Sequence, residues 1–258
     1  MLVPLIASGA VHAVERVLGK KLPVSPLAAW GAVLRAARGA ERIVIASRSK
    51  EKTEPVLAAA RAQGVKAEFV GVELTDLASV KRAADEILAM DLTIDALINN
   101  AGIAGVQGIT KDGFELAFGT NHVAHYLWTE KLLPLVKKSA QGRVVIVSSQ
   151  GHYRASGIDW DAVRKTSATV TAFPEYCVSK LANVLHGKSL ARRLAGTSVT
   201  TYSLHPGGVA SDIWQRRLGG FTALVRRTVT SARQRFLRRV RREHAEGDRH
   251  ALTAQLPR

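Results

Sequence analysis

The stretch Val144-Val145-Ile146-Val147-Ser148-Ser149 decides the fold of this sequence. Four consecutive apolar residues, all of them β-branched, predict a strand that is covered on both faces, as the strands of a parallel sheet are. Two serines follow directly where the strand ends. Because open parallel sheets bind ligands at the carboxyl ends of their strands, these serines predict a functional edge.

Other short apolar runs are typical of further strands in the same sheet: Ile43–Ala46, Ala67–Val72, Ile94–Ile98 and Val199–Leu204. Longer stretches with apolar residues at helical spacing alternate with them: Leu77–Leu88, Phe114–Leu133 and Tyr176–Leu194. Strands that alternate with helices predict right-handed crossovers between parallel strands. The predicted fold is therefore α/β, a Rossmann-like doubly wound parallel sheet in a single domain.

The composition predicts one ordinary domain with basic ends. The chain has 258 residues, is 47% hydrophobic and carries a formal net charge of +16. Residues 1–38 contribute +4 and residues 215–258 contribute +9, which leaves the middle close to neutral. This uneven distribution argues against a specific nucleic-acid binder. The single cysteine, Cys177, excludes an intrachain disulfide and fits a reducing compartment such as the cytoplasm.

Three segments follow from these patterns: a divergent N-terminal segment over 1–38, the sheet-containing domain over 39–230, and a basic tail over 231–258. The apolar start, Met1–Val14, is shorter than the ~20 residues of a spanning helix, which favours a peripheral or buried segment over a membrane anchor. Arginines interleave with apolar residues in the tail. A solvated tail is favoured there over an amphipathic helix that binds acidic lipid weakly.

Polar motifs follow the predicted strands in a fixed order. Asn99-Asn100-Ala101-Gly102 comes after the third strand, and His205-Pro206-Gly207-Gly208-Val209 comes after the last one. Tyr176 and Lys180 lie four residues apart on the long helix between them, so they share one helix face. An ammonium beside a phenol lowers the phenol pKa from its usual ~10 and suits it to acid/base catalysis.

The order NNAG, Ser, YxxxK and PG resembles the short-chain dehydrogenase/reductase superfamily, and residues 112–129 and 176–185 resemble its retinol-dehydrogenase-like branch. The resemblance implies a nicotinamide-dependent oxidoreductase in which Tyr176 is the general acid/base and Lys180 its electrostatic partner. It implies that Ser149, rather than Ser148, binds the substrate oxygen and that Asn121 supports a proton relay. It also implies cofactor contacts from a larger set: Asn99, Ala101, Gly102, Tyr176, Lys180, Pro206, Gly207 and Val209.

The segment after the second predicted strand indicates the preferred cofactor. A 2′-phosphate requires a cation at this point, whereas an acidic residue binds the unmodified ribose. The sequence has Arg48 and Lys50 there, with no acid before Glu51. This favours NADP(H) over NAD(H). The alternative is that Arg48 and Lys50 are ordinary solvated loop charges.

The start of the chain departs from the family pattern of a strand followed by a glycine-rich phosphate loop. Counted back from Gly39, the expected glycine positions hold Leu22, Pro26 and Ala28, whose side chains occupy space that phosphate needs. Ser8-Gly9-Ala10, after an apolar run, faintly resembles the glycine-rich loop. It lacks the later glycines, so its assignment as the phosphate loop is disfavoured. We therefore expect an atypical first βα unit without its usual strand, and an atypical C-terminal end.

These observations predict an NADP(H)-dependent oxidoreductase that interconverts an alcohol and a carbonyl. The branch resemblance implies a small apolar, retinoid-like or lipid-like substrate, and it allows a homo-oligomer and a weak association with membrane surfaces. The rival interpretation is a catalytically impaired pseudoenzyme or a truncated isoform, and the missing glycine loop supports it.

Overall fold

A computed structural model describes residues 2–5, as backbone, and residues 40–206 of the chain. Six strands alternate with helices along these residues. In chain order the elements are β1 (Leu2–Leu5), β2 (Arg42–Ser47), α1 (Lys50–Arg61), β3 (Lys66–Gly71), α2 (Leu77–Ala89), β4 (Ala96–Asn99), α3 (Leu116–Phe118), a π-helical turn (Gly119–Val123), α4 (Ala124–Lys137), β5 (Arg143–Val147), 3₁₀ turns (Gln150–Arg154 and Ala162–Arg164), α5 (Phe173–Arg193) and β6 (Thr200–Leu204).

The six strands form one sheet in the order β3-β2-β1-β4-β5-β6, and every neighbouring pair is parallel. The chain moves outward from β1 in one direction through β2 and β3, and then in the other direction through β4, β5 and β6. The strand order therefore reverses next to β1, between β1 and β4, where doubly wound sheets bind their ligands. The predicted fold class is confirmed.

The expectation that the usual first strand is missing was wrong. Leu2–Leu5 forms the central strand, with Leu2 in register with Ile43 of β2 and with Ala96 of β4. Proline is disfavoured inside a sheet because it has no N–H to donate, and Pro4 in so short a run concealed this strand. The predicted glycine-loop positions Leu22, Pro26 and Ala28, and the Ser8–Ala10 segment, lie outside the described residues.

Strand β2 shows how the sheet is covered on both faces. Ile43 and Ile45 pack on one side against Val56 and Leu57 of α1. Val44 and Ala46 belong to the larger core on the other side, which also contains residues of α2, α4 and α5. Successive side chains of a strand point to opposite faces, so an unbroken apolar run fits a sheet with helices on both sides.

The helix predicted over Phe114–Leu133 is interrupted. After the short helix α3, the π-helical turn follows, in which the Ala124 N–H donates to the Gly119 carbonyl five residues earlier, and α4 then continues. Such turns insert one extra residue into a helix and frequently mark functional sites. Apolar spacing carries no signal for this insertion, so the sequence pattern predicted one continuous helix.

Candidate active site

Three sequence-predicted residues from separate elements meet at the carboxyl edge of the sheet. Gly102 follows β4, Asn121 lies in the π-helical turn and Lys180 lies in the middle of α5. A Cβ placed on Gly102 would be 3.2 Å from Asn121 Oδ1 and 3.4 Å from Lys180 Nζ. The backbone at Gly102 therefore passes directly against both predicted site side chains, and even a methyl group at this position would crowd them.

Tyr176 and Ser149 are hydrogen-bonded through their side chains. Ser149 lies two residues after β5 and caps the following 3₁₀ turn, where its Oγ accepts a hydrogen bond from the Gly151 N–H at 3.1 Å. Gly151 also lies tightly against the pair, because a Cβ on it would be 3.4 Å from Tyr176 Cε1 and 3.5 Å from Ser149 Oγ. The structure thus brings the predicted serine and tyrosine together.

Lys180 is buried at 3% relative exposure, and its Nζ donates to the Val147 carbonyl at 3.1 Å. The ammonium lies 5.7 Å from the centre of the Tyr176 ring. Among the described residues no carboxylate pairs with it, and burial lowers the pKa of Lys180 to about 8. Its charge is thus held in place by a single carbonyl dipole.

The expected lowering of the tyrosine pKa is not observed. Burial raises the pKa of Tyr176 above its ordinary value, and the hydrogen bond from Ser149 opposes this rise. The ammonium of Lys180 donates to Val147 rather than to the phenol oxygen. At neutral pH the phenol therefore carries its proton, which is the state required to donate that proton to a substrate oxygen.

The carboxamide of Asn121 is fully buried and engaged on both sides. Its Oδ1 accepts from the Ile103 N–H at 2.8 Å, and its Nδ2 donates to the Ile103 carbonyl at 2.9 Å and to Ser179 Oγ at 3.0 Å. Ser179 in turn donates to the Tyr176 carbonyl at 2.7 Å. Asn121 thus connects the segment after β4 with the helix that carries Tyr176 and Lys180.

Sequence reasoning missed the residues that support this site. Ser148 donates to the Lys180 carbonyl at 2.7 Å, and Asn183 Nδ2 donates to the Val147 carbonyl at 3.1 Å, beside the Lys180 contact. Both Ser179 and Asn183 lie on the buried face of α5. Asn183 is three residues after Lys180 and Ser179 is three residues after Tyr176, and this spacing was the available signal, since residues three or four apart share a helix face.

The predicted cofactor residues on the adenosine side comprise two exposed cations and one buried amide. Arg48 follows β2, its side chain is 57% exposed, and its Nη1 lies 4.0 Å from Glu73 Oε2. Lys50 is the exposed first residue of α1. Asn99 is fully buried at the end of β4, and its Nδ2 donates to Thr129 Oγ1 at 2.6 Å.

Three further predicted cofactor contacts follow β4 and β6. Ala101 is buried next to Gly102. Pro206 is half-buried just after β6, whereas Gly207 and Val209 lie outside the described residues. The structure therefore places the predicted residues at two positions along one sheet edge, a buried cluster around Tyr176 and Lys180 and an exposed basic pair after β2. Within the described ranges, no helix is both long and apolar enough to cross a membrane.

This sheet order, with its polar side chains at the carboxyl edge, defines a dinucleotide-binding α/β class. The family model described as short chain dehydrogenase matches residues 31–160. The chain belongs to the short-chain dehydrogenase family. Curated relatives include retinol dehydrogenase 11 of Mus musculus, which is 42% identical over 185 residues, 69% of this chain and 56% of that protein. The resemblance to the retinol-dehydrogenase-like branch is confirmed.

Solved structures agree with this assignment. An uncharacterized protein from Mycobacterium Paratuberculosis is 33% identical, with a TM-score of 0.63 over 83% of this chain and 70% of that chain. A blue fluorescent protein from a metagenomic library, solved in complex with NADPH, is 25% identical, with a TM-score of 0.55 over 70% of each chain. The chain spans about half the length of the curated relatives it matches.

Proposed function

We propose that this chain is an NADP(H)-dependent oxidoreductase that interconverts an alcohol and a carbonyl. One observation carries the proposal: the phenol of Tyr176 is hydrogen-bonded to Ser149, beside the buried ammonium of Lys180. A protonated phenol, a second hydroxyl and a nearby cation are the groups that a carbonyl oxygen requires as it becomes an alkoxide.

The described residues fit a nicotinamide dinucleotide. Gly102 lets the backbone after β4 lie directly against Asn121 and Lys180, where a side chain would crowd both groups. Asn99 Oδ1 is buried without a hydrogen-bond partner among the described residues, at the position where the family binds the adenosine side. Lys180 would hold the nicotinamide ribose, and Ala101, Pro206, Gly207 and Val209 would contact the cofactor along the same edge.

The cofactor supplies or accepts a hydride when bound, and the side chains of this chain handle the proton. In the reductive direction Tyr176 donates its phenolic proton to the developing alkoxide while Ser149 hydrogen-bonds the same oxygen. The ammonium of Lys180 then stabilises the phenolate that remains. The raised pKa of Tyr176 favours this direction at neutral pH, because the phenol begins protonated.

The basic pair after β2 supports the choice of NADP(H). The guanidinium of Arg48 is exposed, and its 4.0 Å ion pair with Glu73 is long enough to be exchanged for a phosphate. The blue fluorescent protein that is 25% identical to this chain was solved in complex with NADPH, which supports this choice. An apolar, retinoid-like substrate is proposed from the similarity to retinol dehydrogenases. A homo-oligomer and a weak association with membrane surfaces stay predictions from the sequence.

The test is a titration of the purified chain with NADPH, followed by NADPH consumption in the presence of an apolar aldehyde such as retinal. Wild-type protein should bind NADPH saturably and turn over. Tyr176→Phe should bind NADPH equally well but lose about 10²–10⁴-fold in kcat, because only the proton donor is removed. A folded wild-type chain that does not bind NADPH would instead support the pseudoenzyme interpretation.

A further inference from the structure

We propose that His125 is a positioning residue of this site, whose ring Nδ1–H fixes the main-chain carbonyl of Asn121 and with it the π-helical turn that carries the Asn121 carboxamide. The proposal rests on the proposed function where it concerns proton transfer. His125 is the second residue of α4, directly after the π-helical turn that contains Asn121. Its Nδ1 lies 2.9 Å from the Asn121 carbonyl oxygen.

The chemistry of this contact determines the tautomer of the ring. A carbonyl oxygen only accepts hydrogen bonds, so Nδ1 of His125 must carry the proton, and Nε2 carries a lone pair. Nε2 is buried without a hydrogen-bond partner among the described residues, and the side chain is 1% exposed. Buried polar groups rarely leave a hydrogen-bonding atom unpaired, so a buried ring with an unpaired Nε2 calls for an explanation, and the bonded Nδ1–H provides it.

The surroundings keep this ring neutral. Burial lowers the pKa of His125 to about 3, and the nearby groups Lys180, His122 and His186 also disfavour its charged form. The remaining effect is the hydrogen bond to Asn121, which opposes the lowering. Across the pH range in which proteins work, His125 is therefore a constant hydrogen-bond donor and not a titrating group.

The Asn121 carbonyl matters because the side chain of the same residue is already occupied. The carboxamide accepts from the Ile103 N–H, and its Nδ2 donates to the Ile103 carbonyl and to Ser179, so both of its N–H donors have partners. The main-chain carbonyl only accepts hydrogen bonds. His125 donates to it and so fixes the turn that holds the Asn121 carboxamide against Ile103 and Ser179.

Three variants separate this role from simple packing. His125→Phe keeps an aromatic ring but removes the donor, and His125→Asn restores a donor close to the Nδ1 position. His186→Phe is the matched control, because His186 lies in the same buried cluster and neither of its ring nitrogens has a partner among the described residues. All three are first checked for cooperative unfolding and for NADPH binding.

We expect His125→Phe to lower kcat about tenfold, the effect of one lost hydrogen bond, with KM for NADPH unchanged and the pH profile of kcat displaced. His125→Asn should recover most of the activity and the original profile. His186→Phe should match the wild type. Equal losses in the two phenylalanine variants, or no recovery in His125→Asn, would show that the ring only packs and would overturn the proposal.

A second readout does not depend on turnover. The carbonyl ¹³C chemical shift of Asn121 should move in His125→Phe, return in His125→Asn and stay constant in His186→Phe. An unchanged shift in His125→Phe overturns the proposal whether or not the chain is active. The wild type could bind no NADPH while the chemical shifts behave as expected. In that case the hydrogen bond from His125 is confirmed, and only the proposed function and the catalytic role of the bond are contradicted.

Discussion

The two ends of the candidate site are built in opposite ways. At the β4–β5 edge, Tyr176 and Lys180 are 6% and 3% exposed and are surrounded by hydrogen-bonded neighbours. At the β2 edge, Arg48 is 57% exposed and has one long ion pair. Proton transfer requires groups held within fractions of an ångström, whereas recognition of a phosphate tolerates a mobile cation in water. The same sheet edge therefore combines a rigid half with an adaptable half.

The largest effect is expected for Lys180→Met, which removes the cation from the rigid half. We expect a loss in kcat of about 10²-fold or more, because the phenolate of Tyr176 loses its stabilising charge. Unfolding measurements should show a gain where kcat shows a loss: the free energy of unfolding of the variant should be higher than that of the wild type at neutral pH. Val147 keeps a donor from Asn183 at 3.1 Å, so no carbonyl is left unpaired.

The pH dependence of this stability follows from the lysine pKa. The pKa rises from about 8 in the folded chain to its ordinary 10.5 on unfolding, so the unfolded chain binds more protons between these values. Wild-type stability should therefore increase from pH 8 to about 10, by roughly 3 kcal/mol if this group acts alone. Denaturant melts should show a smaller increase for Lys180→Met. Lys188→Met, on the exposed side of α5, should follow the wild type.

Gly102→Ala tests the junction between the two halves. Its Cβ would lie 3.2 Å from Asn121 Oδ1, which cannot move freely because it accepts from the Ile103 N–H. We expect about a tenfold loss in kcat/KM and a modest loss of stability, since the added methyl also narrows the cofactor approach. Gly157→Ala is the control, because nothing lies within 4 Å of its Cβ. Equal kinetics for both variants would contradict the assigned crowding.

Arg48→Ala should affect the adaptable half alone. We expect the Kd for NADPH to rise about tenfold with little change for NADH, because only NADPH has the 2′-phosphate that a cation recognises. The free energy of unfolding should change by less than about 0.5 kcal/mol, as for other exposed substitutions. Lys52→Ala is the matched control, because it removes one positive charge from an exposed position on α1. A similar loss of NADH binding would remove Arg48 from phosphate recognition.

The smallest effect is expected for Lys50→Ala. A cation in the first turn of a helix is unfavourable because the helix dipole is positive there. Loss of Lys50, the first residue of α1, should therefore leave stability equal or slightly higher, while the NADPH Kd rises about twofold. Thermal melts and cofactor titrations measure the two effects separately. A loss larger than that of Arg48→Ala would reverse the assigned order of the two cations.

The sequence predicted five strands and the residues at their ends because these depend on local patterns. β5 was evident from Val144–Val147, and α2 begins at Leu77, where the predicted helical stretch begins. The strand predicted from Ile94 begins later, at Ala96, since the Ile94 N–H donates to the Leu135 carbonyl instead. Tertiary contacts of this kind decide where an element begins, and no sequence pattern contains them.

Two larger features could not be predicted for a similar reason. The strand β1 depends on pairing with distant partners on both sides, and its four residues carry no pattern of their own. The π-helical turn depends on the burial of Asn121 between Ile103 and Ser179. The raised pKa of Tyr176 likewise arises from burial, which the local spacing of Tyr176 and Lys180 does not contain.

The peptide group between Val147 and Ser148 contributes both to the sheet and to the candidate site. The Val147 carbonyl oxygen accepts from both Lys180 and Asn183, and Val147 is in register with Leu204 at the end of β6. The next residue, Ser148, donates its N–H to the Leu204 carbonyl at 2.8 Å. We therefore expect a displacement of the last strand to reach the Lys180 ammonium through a single peptide, so substitutions at Leu204 should alter the rate even without contact to substrate or cofactor.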